Sequence, residues 1–65
     1  MWIVCKNGEV INSDMVARFR MNGNEVVADM PGVSVSTIIG NVCLFEIMHN
    51  ITTGVKVMEV NDYVD

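Results

Sequence analysis

The side chains best suited to covalent chemistry in this sequence are its two cysteines, Cys5 and Cys43, and its one histidine, His49. A histidine beside a cysteine can accept the thiol proton and create a nucleophilic thiolate. Six residues separate Cys43 from His49, however, which on a helix turns them about 240° apart around the axis. Cys5 could approach His49 only through the tertiary fold. Since no export signal is visible, we predict two reduced thiols packed as small apolar side chains, with a Cys5–Cys43 disulfide as the alternative.

Metal binding is the second chemistry to consider. Glu46 and His49 are three residues apart, so on a helix both could offer a ligand to one ion. A closed zinc site needs four donors, usually Cys or His at close spacing, and the sequence has no such cluster. We therefore interpret Glu46 and His49 as a solvated polar helix face and predict no metal site.

Two carboxylates, Glu25 and Asp29, are four residues apart on one face of a predicted strand. Arg18 and Arg20 are predicted on the same face, so ion pairs explain the carboxylates better than acid–base catalysis does. No glycine-rich phosphate-binding loop is present, because the glycines occur singly, at turns. These residues predict a protein that is not an enzyme and holds no cofactor.

The overall composition indicates a small protein with more apolar surface than one copy can bury. The chain has 65 residues, of which 51% are hydrophobic, and a domain this short buries only about 60% of the surface of its unfolded chain. The net charge of −4 argues against direct binding of nucleic acid and against an anionic membrane surface. No apolar run approaches the roughly 20 residues of a membrane span. We expect a single cytoplasmic domain over residues 1–65 that forms a homo-oligomer or is covered by a protein partner.

Residues 15–39 are predicted to fold as a three-stranded antiparallel meander, because two turn signals divide them into three strands. The Asn-Gly dipeptide at 22–23 suits a two-residue type I′ turn. The Pro-Gly dipeptide at 31–32 suits a type II turn, in which glycine accepts a positive φ at the second central position. Both turns place the apolar side chains on one face of the sheet. That face collects Met15, Ala17, Phe19, Met21, Val26, Ala28, Met30, Val33, Val35 and Ile39.

These turns also predict the pairing of the strands. The first turn places Arg20 opposite Glu25, and the second places Ala28 opposite Val35. A slip of one residue would exchange the two faces, so the turns and the apolar pattern support one register.

Strands are also predicted at both ends of the chain. The Asn-Gly dipeptide at 7–8 gives another two-residue hairpin turn, with Cys5 opposite Val10. Residues 55–60 alternate like a final strand, and residues 61–65 form a short acidic end that we expect to be frayed.

Residues 41–52 are predicted to form an amphipathic helix, with a strand as the alternative. Asn41 is the predicted N-cap, and Gly54 is the predicted left-handed stop. A helix would gather apolar side chains on one side: Cys43, Leu44, Ile47, Met48 and Ile51. This side is wide, which suits a helix lying on the apolar face of the meander.

The predicted fold is therefore of the α+β class: a small antiparallel β-meander of about five strands with one amphipathic helix packed on one face. An all-β small barrel is the alternative.

The predicted function is that of a small non-enzymatic protein-interaction module that self-associates. The candidate interface residues are Trp2, Phe45, Met48 and Met58, with Trp2 as either an interface residue or a core anchor. The alternative, motivated by the small size and the acidic charge, is an inhibitor that blocks the basic surface of a nucleic-acid-binding protein, of the kind found among accessory proteins of mobile elements.

Overall fold

The structure of the protein, a computed structural model, describes residues 1–60. These residues form β1 (Trp2–Val4), β2 (Val10–Asn12), a 3₁₀ helix (Ser13–Met15), β3 (Arg18–Asn22), β4 (Glu25–Asp29), β5 (Thr37–Gly40), α1 (Leu44–Thr52) and β6 (Val57–Glu59). The predicted acidic end at residues 61–65 lies outside the described residues. The predicted α+β class is confirmed, and α1 decides against the all-β alternative.

The six strands form two three-stranded sheets, whereas the sequence predicts one sheet of about five strands. The first sheet has the order β2-β1-β6 and the second the order β3-β4-β5. The hairpin partners are antiparallel, but β6 runs parallel to β1. A parallel pair needs a long crossover connection, and here all the elements from β2 to α1 lie between β1 and β6.

The first hairpin differs from its predicted pairing by one residue. Val10 lies opposite Val4, and the prediction that it lies opposite Cys5 is wrong. The Gly8 N–H donates to the Cys5 carbonyl at 2.9 Å, and Gly8 has a φ of +89°. This arrangement matches a three-residue hairpin loop, in which a type I turn is followed by a left-handed glycine.

The β3–β4 hairpin keeps the predicted faces but turns one residue later than predicted. Gly23 has a φ of +65°, and within residues 1–60 only glycines have positive φ. Gly23 is therefore the first central residue of the turn, as a type II′ turn requires, and Asn24 is the second. Phe19 lies opposite Ala28 as a result, whereas the predicted turn would place it opposite Val26. A pairing shift of two residues leaves every side chain on its predicted face.

The predicted Pro-Gly turn is present, but it does not lead directly into a strand. The Val33 N–H donates to the Met30 carbonyl at 3.2 Å and closes the turn. Three further residues precede β5, so Ala28 lies opposite Thr37 and the predicted pairing with Val35 is wrong. Val33 and Val35 are exposed in the loop, away from the apolar face where they are predicted.

A β-bulge at the end of β5 brings the two sheets together. The pairing of β4 with β5 shifts between Val26 and Val27, which leaves Ile39 as an extra residue in β5. The Ile39 carbonyl accepts a hydrogen bond from the Lys6 N–H at 2.9 Å. This bond joins the first hairpin to the second sheet.

The core lies between the two sheets and α1. Its buried members are Ile3, Cys5, Val26, Ala28, Ile39, Ile47, Met58 and Val60. Met58 is a predicted interface residue, but pairing of β6 with β1 places it in this core, where it is 7% exposed. Met15 lies in the 3₁₀ helix and is exposed, although it is predicted on the apolar face.

The helix α1 begins later than predicted and ends as predicted. Its N-cap is Cys43, without a side-chain capping bond, whereas the sequence suggests Asn41. Gly54 follows the helix with a φ of +78°. The Gly54 N–H and the next N–H donate to the carbonyls of Ile51 and Asn50 at 3.3 and 3.0 Å. These two bonds form a Schellman motif, which ends the helix and reverses the chain towards β6.

Replacing Gly40 by alanine is expected to destabilise the protein more than the same change at Gly8. Both glycines have positive φ, at +138° and +89°, so both variants carry backbone strain of about 1–3 kcal/mol. A Cβ at position 40 would also lie 2.8 Å from Cγ1 of Val60, while a Cβ at position 8 meets nothing within 4 Å. We expect this overpacking to cost Gly40→Ala a further 1–3 kcal/mol or so. Urea unfolding followed by circular dichroism measures both losses, and equal losses would contradict this account.

Candidate functional site

The two cysteines lie in different environments, and Cys43 is distant from His49. Cys5 is buried in the core and Cys43 is exposed at the start of α1, and both are free thiols. Burial, with a smaller contribution from the nearby Glu9 carboxylate, raises the pKa of the Cys5 thiol. His49 lies in the last turn of α1, about 9 Å further along the helix axis than Cys43. The structure therefore does not bring Cys43 and His49 together.

Metal-binding side chains are dispersed in the described part of the chain. Within residues 1–60, no three His, Cys, Asp or Glu side chains are grouped so that they could hold a metal ion. Glu46 and His49 are both exposed on α1.

A polar cluster occupies the face of the second sheet that points away from the core. Oδ2 of Asp29 accepts hydrogen bonds from Nε of Arg18 at 2.5 Å and from Nε of Arg20 at 2.9 Å. Its Oδ1 accepts a hydrogen bond from the Ser36 hydroxyl, whose oxygen also accepts one from Arg20 at 3.0 Å. The hydrogen bonds from Arg20, Ser36 and Arg18 hold the pKa of Asp29 well below its usual range. The predicted ion pairing of both arginines is thus confirmed for Asp29, and the cluster ties the loop before β5 to the sheet.

Glu25 takes a different partner from the one predicted. It lies opposite Asn22 in the β3–β4 ladder, not opposite Arg20. Its carboxylate forms an ion pair with the ammonium group of Lys6, in the loop of the first hairpin. This partly exposed pair is a second link between the sheets, of a kind that contributes about 0–1 kcal/mol.

The candidate functional site is an apolar groove between α1 and β3, which we call the α1–β3 groove. It has a volume of about 340 Å³ and is lined by Phe19, Leu44, Ile47, Met48, Ile51 and Thr52. Its size is at the lower end of the 300–1,000 Å³ that is usual for binding pockets. Five of its six lining residues are apolar, so the groove suits an apolar side chain rather than a polar substrate.

The core covers only one flank of the apolar side of α1. At about 100° per residue, Ile47, Ile51, Met48 and Phe45 follow one another around the helix in that order. Ile47 is 1% exposed, and the exposed fraction then rises to 43% for Ile51, 60% for Met48 and 78% for Phe45. Phe45, Met48 and Ile51 therefore form an apolar strip that continues outward from the core, which we call the α1 strip.

Two of the four predicted interface residues, Phe45 and Met48, belong to this strip. Trp2 is 52% exposed and lines a second cavity of about 430 Å³, which Ile51 of the strip also borders. Met58 is in the core, as described above.

Phe19 and Ile51 are not among the four predicted interface residues. For Ile51, the usable signal is its spacing of three residues from Met48, which places both on one side of a helix. For Phe19 no local signal exists, because its place in the groove depends on how α1 packs against β3.

Comparisons with protein-family models, with curated proteins and with solved structures give no match to this chain. Among residues 1–60, no helix combines the length and the apolar character needed to cross a membrane. A function for this protein must therefore follow from the chemistry of its own surface.

Asp29→Asn is expected to remove an acid-sensitive part of the stability. Because the pKa of Asp29 in the folded protein lies below its ordinary value of 3.8, its ionised form stabilises the fold. This contribution is fully present above the ordinary pKa and is lost as the pH falls below it towards the folded-state pKa. The wild type should therefore exceed the variant in free energy of unfolding at neutral pH, and the difference should shrink below about pH 4.

Urea titrations at several pH values measure this difference, and adding Arg20→Gln and the double variant gives the coupling between the two side chains. A difference in free energy of unfolding between wild type and Asp29→Asn that stays constant from neutral pH down to about pH 3 would contradict the assigned role of Asp29.

Cys43 is expected to react readily with an aromatic disulfide reagent in the folded protein, whereas Cys5 should react only after unfolding. Burial and a raised pKa both keep Cys5 from forming an accessible thiolate. One thiol per chain should therefore be released quickly at neutral pH and a second one in denaturant. The Cys43→Ser variant should lose the rapid reaction. Rapid labelling of that variant without denaturant would show that Cys5 is accessible.

Proposed function

We propose that this protein is a small non-enzymatic protein-interaction module that self-associates through the α1–β3 groove and the α1 strip. The observation that carries the proposal is the exposure of Phe45, Met48 and Ile51 on a surface continuous with the core. Burying one such side chain is worth about 1.5–3 kcal/mol. Their exposure in a single copy therefore leaves a substantial driving force for association.

The shape of this surface also supports an interaction role. A projecting aromatic side chain, Phe45, stands beside a groove that can receive an apolar group. Interfaces concentrate their binding energy in a few such anchors and pockets, and aromatic residues and methionine are enriched there. A domain of this size buries only about 60% of the surface of its unfolded chain, and 51% of the residues here are hydrophobic, so apolar side chains are left at the surface.

The placement of the reactive groups supports a role without catalysis. The carboxylate of Asp29 already accepts hydrogen bonds from two arginines and a serine. The thiol of Cys5 is buried, and its pKa is raised. Catalytic groups need access to a substrate and a pKa suited to proton transfer. Two free cysteines in a chain of this size are the state expected in a reducing compartment such as the cytoplasm, where we place the protein.

Sedimentation velocity tests the proposed self-association. The sedimentation coefficient of the wild type should rise with concentration between about 1 µM and 1 mM, the range that reports weak dimers. Met48→Glu places a charge in the middle of the α1 strip and should keep the protein monomeric. Val10→Glu is the matched control, because Val10 is also an exposed apolar residue, at 56%, but lies on β2 outside the groove.

Circular dichroism verifies that both variants fold. A wild type that stays monomeric over the whole range would refute the proposal. Loss of association in Val10→Glu alone would show that a different surface is used.

A further inference from the structure

We propose that Asn22 is a site of spontaneous modification, at which the side-chain amide is converted to a carboxylate without an enzyme. The chain contains two Asn-Gly dipeptides, at 7–8 and 22–23. In such a dipeptide the backbone nitrogen of the glycine can attack the asparagine amide, because glycine has no side chain that obstructs the approach. The structure leaves this route open at Asn22 and obstructs it at Asn7.

The reaction needs only water as a co-reactant. The backbone nitrogen of Gly23 loses its proton and bonds to Cγ of Asn22, and the bond from Cγ to Nδ2 breaks with release of ammonia. The product is a cyclic imide. Water then adds to one of the imide carbonyls and breaks its bond to the glycine nitrogen, which takes up a proton. Hydrolysis at Cγ gives aspartate, and hydrolysis at the backbone carbonyl gives isoaspartate, in which the main chain continues through the former side chain.

The attacking nitrogen is available at Gly23 and engaged at Gly8. Gly23 is the first central residue of the β3–β4 turn, with a φ of +65°, and this position turns its N–H out of the hairpin. Within residues 1–60 this N–H has no hydrogen-bond acceptor. The Gly8 N–H donates to the Cys5 carbonyl at 2.9 Å. Attack by the Gly8 nitrogen therefore first has to break a bond that closes its loop.

The two asparagine amides differ in the same direction. Oδ1 of Asn7 accepts a hydrogen bond from the Glu9 N–H at 3.0 Å, and its Nδ2 donates to the Glu9 carboxylate at 3.2 Å. The side chain of Asn22 is exposed and makes no hydrogen bond in the described part of the chain. Its backbone belongs to the outermost pair of the β3–β4 ladder, opposite Glu25, and the ends of a ladder open more readily than its centre.

The product would weaken a link between the two sheets. Asn22 lies opposite Glu25, whose carboxylate pairs with Lys6 in the loop of the first hairpin. A carboxylate at position 22 places two like charges opposite each other and competes for the same ammonium group, so it is destabilising. Isoaspartate also lengthens the backbone of β3 by one carbon atom at the turn.

Peptide mapping by mass spectrometry tests the site. During incubation at neutral pH, carboxylate and isoaspartate should form on the order of tenfold faster at Asn22 than at Asn7, because two more hydrogen bonds have to break at Asn7. In denaturing urea the two rates should become similar. Equal rates in the folded protein, or a contrast that persists in urea, would overturn the proposal. Asn22→Gln should lose the fast conversion, while the matched variant Asn7→Gln should retain it.

Urea unfolding tests the effect on the link between the sheets. Asn22→Asp reproduces the charge of the product and should lower the midpoint of unfolding relative to Asn22→Gln, which keeps an amide at this position. The difference should shrink in a Glu25→Gln background, where no carboxylate lies opposite position 22. A difference that Glu25→Gln leaves unchanged would overturn the assigned effect.

Discussion

The contact between the two sheets at Ile39 and Gly40 is the constraint on which the rest of this structure depends. The bulge leaves the Ile39 carbonyl facing the first hairpin, where the Lys6 N–H binds it at 2.9 Å. The missing side chain of Gly40 lets Val60 approach the backbone. Each sheet has only three short strands and could not bury both faces alone. Their contact encloses a common core, to which both central strands contribute fully buried residues such as Ile3 and Ala28.

The limited size of this core explains the exposed surface of α1. The helix is nine residues long, and Ile47 is its one fully buried member. Burial of Ile47 sets the rotation of the helix, and that rotation turns Met48 and Phe45 outward. In a larger domain another layer would cover these side chains. Here the same packing that stabilises the fold leaves the apolar surface through which we propose that the protein self-associates.

Charge and apolar surface are separated in this protein. The hydrogen-bonded arginines of β3 lie on the face of the second sheet that points away from the core, where Asp29 binds them. Phe19, on the same strand, faces α1 because side chains alternate along a strand. The α1–β3 groove therefore has no charged lining residue. An acidic protein can associate through such a groove without bringing its carboxylates together.

Local signals in the sequence determine the α+β class, the faces of β3 and β4, and the end of α1. Alternation along Phe19 and Met21, and the left-handed Gly54, act within a few residues, so they are visible without a structure. Tertiary structure alone decides that β6 pairs with β1, that Met58 is buried, and that Phe19 meets α1. Tertiary structure also decides the turn positions. The Asn-Gly dipeptide is compatible with several positions in a hairpin loop, and packing of the core fixes which of them is used. These features depend on contacts between distant parts of the chain. A local sequence pattern does not determine which of the other strands a strand pairs with.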